Sequence, residues 1–592
     1  MKELEYPFDS AYILKKRKKI RRELLSDGRD RIKKKIAFLC GATADDIISC
    51  AELFLLDNGI EPQVYKSEYD MYYEDAVFSN KELDEFRPDV VYIHTSLRNL
   101  KSPPKVSDSG QLIQDKLESE YSRFLQMWER LYERFGCVII QDNFALPFYR
   151  LLGNSDAYDV HGLTSFVSRL NEKFYSFAGS RNDFFILDVN YLSACFGLDK
   201  WYDLSFWYLY KYAQSLSAVP SLAFELSKII KAIYGKNKKC IALDLDNTLW
   251  GGIVGDDGVE GIKIGHEDAQ SESYYEFQSY VKAHKDIGVI LSVISKNEEE
   301  NAMAGLAHPE GALKYDDFVT FKANWQPKSE NLVSSAEMIG ILPDSFVFVD
   351  DNPAEREEVS KQTGAAAPDI GEVTDYIRVL DRSGFFEVTR LSSDDLKRND
   401  MYKANAKRSQ LQSTFADYGE YLDSLEMSAM VRPFEKLYYE RISQLTNKSN
   451  QFNLTTLRCT VGDIAAFADD DSYVTLYGSL NDKFGDNGIV SIAAGKVTGD
   501  TLDITLWLMS CRVLKRDMEL VMLDKMVSFA SSKGVRYLKG RYLPSAKNKM
   551  VKDFYDGTLG FEKISEGENG EREYILDITG YKNKNTHIKT EE

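Results

Sequence analysis

Short apolar runs alternate with amphipathic stretches along the first third of the chain. The runs cover residues 36–40, 90–93, 138–140 and 184–187, and helical periodicity covers 44–56, 112–135 and 205–234. This alternation predicts parallel strands joined by helices, with helices on both faces of the sheet. We therefore expect a doubly wound α/β domain over residues 1–235.

The middle third repeats this alternation, with polar residues placed directly after the apolar runs. Predicted strands cover 241–243, 288–295, 318–321 and 345–351, and predicted helices cover 271–284 and 329–338. Ligands of open parallel sheets bind at the carboxyl ends of the strands. The pattern predicts a second, Rossmann-like α/β domain over residues 236–375, with its site at that edge.

After the middle third, a charged helical connector over 376–423 is expected, followed by a region richer in strands. Predicted strands cover 472–476, 488–493, 502–507 and 537–539, and predicted helices cover 518–531 and 551–555. This mixture predicts an α+β domain over residues 424–580. The segment 581–592, rich in Lys, Asn, Thr and Glu, is expected to be a flexible tail.

Composition and charge disfavour several classes of function. A net charge of -19 disfavours nucleic acid as a general partner. No apolar run reaches the roughly eighteen residues of a membrane-spanning helix, so we expect no membrane insertion. Seven scattered cysteines without a CxxC pair, and a charged opening segment, predict a cytoplasmic protein. The basic run 15–22 is interpreted as the solvated face of a helix.

Two carboxylates, Asp244 and Asp246, follow the first strand of the middle domain. Charges at the end of a buried strand are costly unless something offsets them, and such oxygen ligands suit Mg²⁺. An isolated Asp-x-Asp more often simply ends a strand in solvent. Here, further polar residues follow later elements in order: Ser295, Lys328, and the pair Asp350 and Asp351.

These four groups resemble, in order and context, the four motifs of the haloacid dehalogenase superfamily. The resemblance implies phosphoryl transfer with Asp244 as the nucleophile and Asp246 as the general acid and base. Ser295 would donate a hydrogen bond to a phosphoryl oxygen, and Lys328 would neutralise charge on the phosphoryl group and on Asp244.

The same resemblance implies Mg²⁺ as the cofactor. Its ligands would be the Asp244 carboxylate, the Asp246 backbone carbonyl, and Asp350 or Asp351. No long insertion separates the first motif from the second, so a cap domain is expected to be absent or small. The glycine-rich segment 251–258 would form a short flap, and an open site admits a large or protein-tethered substrate.

Longer stretches carry a more specific resemblance: 244–252, 295–297, 325–328, 450–455, 484–488, 510–514 and 554–561. They resemble the FkbH family, whose phosphatase module belongs to subfamily IIIC of the haloacid dehalogenase superfamily. The resemblance implies Mg²⁺-dependent dephosphorylation of 1,3-bisphosphoglycerate. The glyceryl group would pass through a thiol to an acyl carrier protein, as in methoxymalonyl-carrier biosynthesis.

The first domain resembles the N-terminal domain of FkbH-like proteins, which is related to the SGNH hydrolases. Its first strand runs into Gly41-Ala-Thr43 where a hydrolase has a Gly-Asp-Ser turn, and Asp203-Leu-Ser-Phe206 lacks the histidine of an Asp-x-x-His pair. Thr43 has no base nearby in the sequence, and a nucleophile needs one. A binding or docking role is therefore expected in preference to hydrolysis.

The C-terminal domain resembles the GNAT acyltransferase fold. Lys515 and Asp517 stand in the turn 512–517, where that fold uses small residues to hold a pyrophosphate, so CoA binding is disfavoured. Cys511 is a candidate acyl-carrying thiol because Arg512 and a predicted helix start follow it. The alternative, a small buried core residue, stays open.

Three hypotheses follow for the function. The first is dephosphorylation of 1,3-bisphosphoglycerate with glyceryl transfer to an acyl carrier protein. The second is a stand-alone phosphatase on a sugar or acyl phosphate in bacterial envelope or polysaccharide biosynthesis. The third is a non-catalytic scaffold in a biosynthetic complex.

Overall fold

The computed structural model describes residues 1–391, 393–449, 451–545 and 547–591. The chain divides into two compact units: residues 1–236 with 387–390, and residues 237–386 with 391–592. Within the described ranges, no helix is both long enough and apolar enough to span a bilayer.

The first unit is built on five parallel strands in the order β2-β1-β3-β4-β5. The strands are β1 Ile32–Cys40, β2 Ile60–Lys66, β3 Val90–His94, β4 Val138–Asp142 and β5 Phe184–Leu187. The helices are α1 Ser10–Leu25, α2 Asp45–Asp57, α3 Tyr72–Val77, α4 Lys81–Phe86, α5 Gly110–Phe135, α6 Leu163–Ser180, α7 Val189–Phe196, α8 Leu198–Trp201, α9 Leu204–Tyr210 and α10 Val219–Ile233. This confirms the predicted doubly wound architecture, while the likeness to SGNH hydrolases stays a prediction.

Successive side chains of these strands enter two different cores, because the side-chain period of a strand is two. Phe38 and Tyr92 lie on the face that α1, α2 and α10 cover. Leu39 and Ile93 lie on the opposite face, against α3, α5 and α6. Burial on both faces explains why the strands read as continuous apolar runs in the sequence.

The helix predicted over 205–234 is two helices, α9 and α10. Lys211 adopts a left-handed conformation with φ 62° and ends α9. Pro220 lies in the first turn of α10, where its missing N–H costs no helical hydrogen bond. The apolar periodicity continues across this break, so the sequence pattern alone did not reveal it.

The second unit begins with four parallel strands in the order β8-β7-β6-β9. The strands are β6 Cys240–Leu243, β7 Ile290–Ser295, β8 Thr320–Ala323 and β9 Phe346–Val349. The helices are α11 Val254–Asp257, α12 Ala269–Asp286, α13 Glu299–Leu306, α14 Lys328–Ile339, α15 Pro353–Thr363 and α16 Val373–Arg382. Between β6 and β7 the chain forms only α11 and α12, as expected for a domain without a cap.

The rest of the second unit is a helical segment followed by an eight-stranded mixed sheet. The helices are α17 Ser393–Leu396, α18 Arg398–Gln412, α19 Tyr418–Ser424, α20 Tyr439–Lys448, α21 Val461–Asp469 and α22 Met518–Ser532. The strands are β10 Ser428–Arg432, β11 Tyr473–Asp482, β12 Gly485–Thr498, β13 Thr501–Met509, β14 Tyr537–Tyr542, β15 Glu562–Glu566, β16 Arg572–Asp577 and β17 Lys589–Glu591. Their order is β15-β16-β14-β13-β12-β11-β10-β17, and the predicted α+β architecture is confirmed.

Two expectations for the C-terminal region are wrong. The segment after 580, expected to be flexible, ends in β17, which pairs in parallel with β10, and Ile588 is buried beside this pair. The polar composition of this segment did not indicate a strand, and Ile588 is the buried apolar residue beside it. The predicted helix 551–555 is instead the 3-10 turn Lys549–Val551 and the π-helical turn Phe554–Thr558.

Asp482 joins α18 to the C-terminal sheet through two buried ion pairs. Its carboxylate oxygens lie 2.7 Å from Arg408 Nη2 and 3.0 Å from Arg516 Nη1, and all three side chains are buried. Removing the carboxylate would leave two guanidinium groups facing each other without a counter-charge.

We expect Asp482→Ala to lower the free energy of unfolding by about 3–5 kcal/mol, because an uncompensated buried charge is costly. Urea denaturation followed by tryptophan fluorescence measures it. Asp577→Ala is the matched control, since Asp577 pairs with Arg536 on the surface at 3.1 Å and should change stability by less than about 1 kcal/mol. Equal effects of the two substitutions would contradict this account.

Candidate active site

The carboxyl ends of β6 and β9 bring three carboxylates together. Asp244 follows β6 directly and is buried, and its backbone N–H donates to the Val349 carbonyl at the end of β9 (3.0 Å). Carboxylate oxygens of Asp244, Asp350 and Asp351 all lie within 4.8 Å of one another. Parallel pairing of β6 with β9 in matched register produces this meeting.

The Lys328 ammonium sits between two of these carboxylates. Its Nζ lies 3.0 Å from Asp244 Oδ1 and 2.6 Å from Asp350 Oδ2, and all three side chains are buried. Burial disfavours the ammonium, but the charges of Asp244 and Asp350 outweigh it and raise the pKa of Lys328. Lys328 is the first residue of α14, so the start of this helix places the ammonium beside the two carboxylates.

Both acids that follow β9 hold their protons more tightly than an ordinary aspartate. Burial first, and then the charge of Asp244, raise the pKa of Asp350 to about 6 despite the Lys328 ammonium. The same two causes raise the pKa of Asp351. A bound cation would reduce the electrostatic repulsion among these carboxylates.

The donor set fits Mg²⁺, which prefers oxygen ligands and binds through one or two carboxylates plus water and phosphate oxygens. Asp244, Asp350 and Asp351 supply carboxylate oxygens close enough to share one ion, and Asp351 is open to solvent. Both Asp350 and Asp351 are placed to contribute, so the alternative between them stays open.

The loop after β9 is held by groups that the sequence analysis did not identify. The Asp351 N–H donates to Thr248 Oγ1 (3.2 Å), and Arg356 Nη1 donates to the carbonyls of Asp350 (2.7 Å) and Asp351 (2.9 Å). The Asn352 N–H donates to Asp350 Oδ1 (2.8 Å). The position of Thr248, two residues after Asp246 in the first motif, could have indicated that its hydroxyl contacts the site.

Asp246 lies beside this cluster and accepts three hydrogen bonds. Trp250 Nε1 (2.9 Å) and the Val254 N–H (3.0 Å) donate to its Oδ1, and Asn297 Nδ2 donates to its Oδ2 (2.9 Å). Burial is the largest cause of a raised pKa of Asp246, and the charge of Asp244 adds to it.

The turn between Asp246 and Trp250 is fixed from several directions. Asn247 adopts φ 56°, a left-handed conformation that asparagine tolerates. Its carbonyl accepts hydrogen bonds from Tyr274 (3.3 Å) and Tyr376 (3.1 Å), and its Oδ1 accepts one from the Gly252 N–H (2.9 Å). Tyr376 belongs to α16, so a residue of the predicted connector 376–423 helps to hold this turn.

Ser295 is the last residue of β7 and is buried at the same edge of the sheet. The register pairs Leu243 of β6 with Val293 of β7, which places Ser295 level with the stretch between Asp244 and Asp246. The four sequence motifs therefore converge on one edge.

Cys511 lies apart from this cluster. It packs against the apolar cluster that includes Cys240 and Tyr402, and its Sγ is 3.9 Å from the Tyr402 hydroxyl. A Cβ on Gly340, which follows α14, would lie 3.8 Å from the Cys511 carbonyl oxygen. Since α14 has 12 residues, its ends are about 18 Å apart. Cys511 thus lies at the end of α14 opposite to Lys328.

Two basic side chains beyond Cys511, those of Arg512 and Arg516, form hydrogen bonds or ion pairs within the protein. Arg512 Nε donates to Ser510 Oγ (3.1 Å), and Arg516 pairs with Asp482. Lys515 and Asp517 adopt φ 60° and 61°, the left-handed conformation that normally favours glycine. Of the resembling stretch 450–455, residue Asn450 lies outside the described residues.

Among the described residues, no side chain that could act as a base forms a hydrogen bond with the Thr43 hydroxyl of the first unit. Its hydroxyl donates to the Tyr210 carbonyl (2.6 Å). A buried pair, His94 Nδ1 and Asp142 Oδ2 at 2.6 Å, lies at the ends of β3 and β4 of the same unit. The sequence analysis missed this pair because its members are distant in the chain and form no motif.

Comparison with known proteins places part of the chain in a family. Residues 35–231 match the family described as FkbH, N-terminal domain. No curated protein is significantly similar to the chain.

Solved structures match larger and smaller parts of the chain. The N-terminal part of a Bacteroides fragilis protein, containing a phosphatase domain and complexed with Mg, is 29% identical over 63% of this chain and 99% of its own, with a TM-score of 0.59. The GNAT domain of S. lividans PAT (20% identity, 25% of this chain and 89% of its own, TM-score 0.20) matches a smaller part. The Escherichia coli ribosomal-protein-S18-alanine N-acetyltransferase also matches a smaller part (14% identity, 26% of this chain and 94% of its own, TM-score 0.20). TM-scores this low support no further conclusion.

The family match and the similarity to the Bacteroides structure agree with the motifs of the middle domain: residues 35–231 match the FkbH N-terminal domain, and the chain is similar to a protein with a phosphatase domain.

Proposed function

We propose that the cluster around Asp244 is the active site of a Mg²⁺-dependent phosphatase. The observation that carries this proposal is the Lys328 ammonium held between Asp244 and Asp350 at 3.0 and 2.6 Å, with Asp351 within reach of the same point. Positive charge beside a buried carboxylate nucleophile is what a transferring phosphoryl group requires. The Mg-complexed phosphatase domain of the Bacteroides protein supports the proposal.

The chemistry proceeds in two displacements. Asp244 attacks phosphorus, the bond to the leaving oxygen breaks, and Asp246 gives that oxygen a proton. Water then attacks the aspartyl phosphate, Asp246 takes the water proton, and inorganic phosphate leaves with Asp244 restored. Lys328 and Ser295 hold the phosphoryl oxygens throughout.

Mg²⁺ held by Asp244, the Asp246 carbonyl and the acids Asp350 and Asp351 would offset the repulsion between the phosphoryl oxygens and the attacking carboxylate.

The finer proposal is that the phosphorylated substrate is 1,3-bisphosphoglycerate and that its glyceryl group passes to an acyl carrier protein. A thiol must attack the acyl carbon and expel its phosphate, whereas Asp244 must attack phosphorus. Because Cys511 lies at the far end of α14 from Lys328, the two reactions need separate sites. The FkbH likeness supports this proposal.

A stand-alone phosphatase acting on a sugar or acyl phosphate is the second candidate. The packing of Cys511 against an apolar cluster, away from Asp244, favours it. Intact-mass analysis of a carrier protein incubated with this chain, Mg²⁺ and 1,3-bisphosphoglycerate separates the candidates. Glyceryl addition supports transfer, and phosphate release without glyceryl addition supports the stand-alone phosphatase. The absence of Mg²⁺-dependent phosphate release from any phosphorylated compound supports a scaffold.

Asp244→Asn should lower phosphatase activity by at least about 10³-fold, because removing a nucleophile removes the covalent route. Phosphate release measures the activity, and circular dichroism checks the fold. Asp286→Asn, an exposed acid at the end of α12, is the control and should leave turnover unchanged. Full turnover by Asp244→Asn would remove this residue from its proposed role.

Mg²⁺ affinity should weaken as the pH falls through about 6, because protonation of Asp350 removes a negative ligand. Below that pH, the loss approaches about tenfold per pH unit for one competing proton. Calorimetric titration with Mg²⁺ at pH 5 and pH 7.5 tests this. An unchanged affinity would show that Asp350 does not hold the ion.

Lys328→Met should destabilise the protein without Mg²⁺ by about 3–5 kcal/mol, because it leaves Asp244 and Asp350 without their shared counter-charge. Added Mg²⁺ should stabilise this variant more than the wild-type protein, since no ammonium competes for the carboxylates. Thermal unfolding with and without Mg²⁺ measures both effects. Equal Mg²⁺ stabilisation of the two proteins would contradict the shared position of Lys328 and the ion.

A further inference from the structure

The contacts of Asp246 differ between its two oxygens. Oδ1 accepts from Trp250 Nε1 at 2.9 Å and from the Val254 N–H at 3.0 Å. Oδ2 accepts only from Asn297 Nδ2, at 2.9 Å, among the hydrogen bonds of the described residues. A carboxylate oxygen has two lone pairs, so Oδ1 is fully used and Oδ2 retains one.

The Trp250 indole is locked in its donating position. Its side chain is buried and packs against Gly305 of α13, where a Cβ would lie 2.8 Å from Trp250 Cη2. Asn297, also buried, precedes the same helix. One short segment therefore holds both side-chain donors to Asp246.

The third donor ties the flap to the same oxygen. Val254 is the first residue of α11, the short helix inside segment 251–258, and the preceding Ile253 side chain is exposed. With Val254 and Trp250 both directed at Oδ1, the carboxylate cannot rotate about its axis without losing two hydrogen bonds.

We infer that Trp250 and Asn297 are positioning residues that make Oδ2 of Asp246 the oxygen that exchanges the proton with the substrate. This inference rests on the proposed phosphatase function. A proton on Oδ1 would face two N–H donors, whereas Oδ2 offers a free lone pair beside its single donor. In this proposal Trp250 and Asn297 act through their hydrogen bonds to Asp246.

The test compares two leaving groups, since proton donation matters only when the leaving oxygen is strongly basic. The probes are p-nitrophenyl phosphate, whose phenolate leaves without a proton, and glycerol 3-phosphate, whose alkoxide needs one. For Trp250→Phe and Asn297→Ala, kcat/KM on glycerol 3-phosphate should fall about 10–10²-fold more than on p-nitrophenyl phosphate. Gly305→Ala, which retains every donor but displaces the indole, should show the same selective loss.

Controls separate positioning from general damage. Trp128→Phe removes another buried indole donor, bonded to Gln141 Oε1 at 3.0 Å in the first unit, and should change neither rate. Lys328→Met should slow both probes alike, because it acts on the phosphoryl group. Thermal stabilisation by Mg²⁺ in each variant shows that the acidic cluster remains intact.

Equal losses on both probes in all three variants, with Mg²⁺ stabilisation retained, would overturn the positioning role while leaving the phosphatase proposal standing. Failure of the wild-type protein to release phosphate from both probes and from 1,3-bisphosphoglycerate in the presence of Mg²⁺ would overturn both.

Discussion

The site depends on one electrostatic arrangement, a buried ammonium shared by two buried carboxylates. Two aspartates at adjacent strand ends would repel strongly in an environment that water does not screen. Lys328 makes their approach possible, and the parallel pairing of β6 and β9 makes it geometrically unavoidable. Because one ammonium only partly offsets the buried carboxylates, Asp350 and Asp351 would still be stabilised by a second cation.

The main features of this arrangement could be predicted from the sequence. An apolar run followed directly by charge marks the end of a buried strand, and strand ends of a parallel sheet share one edge. Together with the resemblance of the motifs to a known superfamily, this predicts that Asp244, Lys328 and either Asp350 or Asp351 share one site.

The supporting contacts could not be predicted in the same way. Thr248, Arg356 and Trp250 act through the direction of a single N–H or hydroxyl, which depends on packing between elements distant in sequence. Cys511 illustrates the opposite limit. Its basic neighbours in sequence suggested an activated thiol, yet Arg512 and Arg516 bond to Ser510 and Asp482 instead. Adjacency in the chain does not fix where a long side chain points.

The parallel strand β17 closes one edge of the eight-stranded sheet with alternating charge, Lys589-Thr-Glu591, on exposed positions. An unpaired edge would offer free backbone groups to other copies of the chain, and a short charged strand discourages such association. Removing β17 would expose the edge of β10 and promote fibrous or amorphous aggregation.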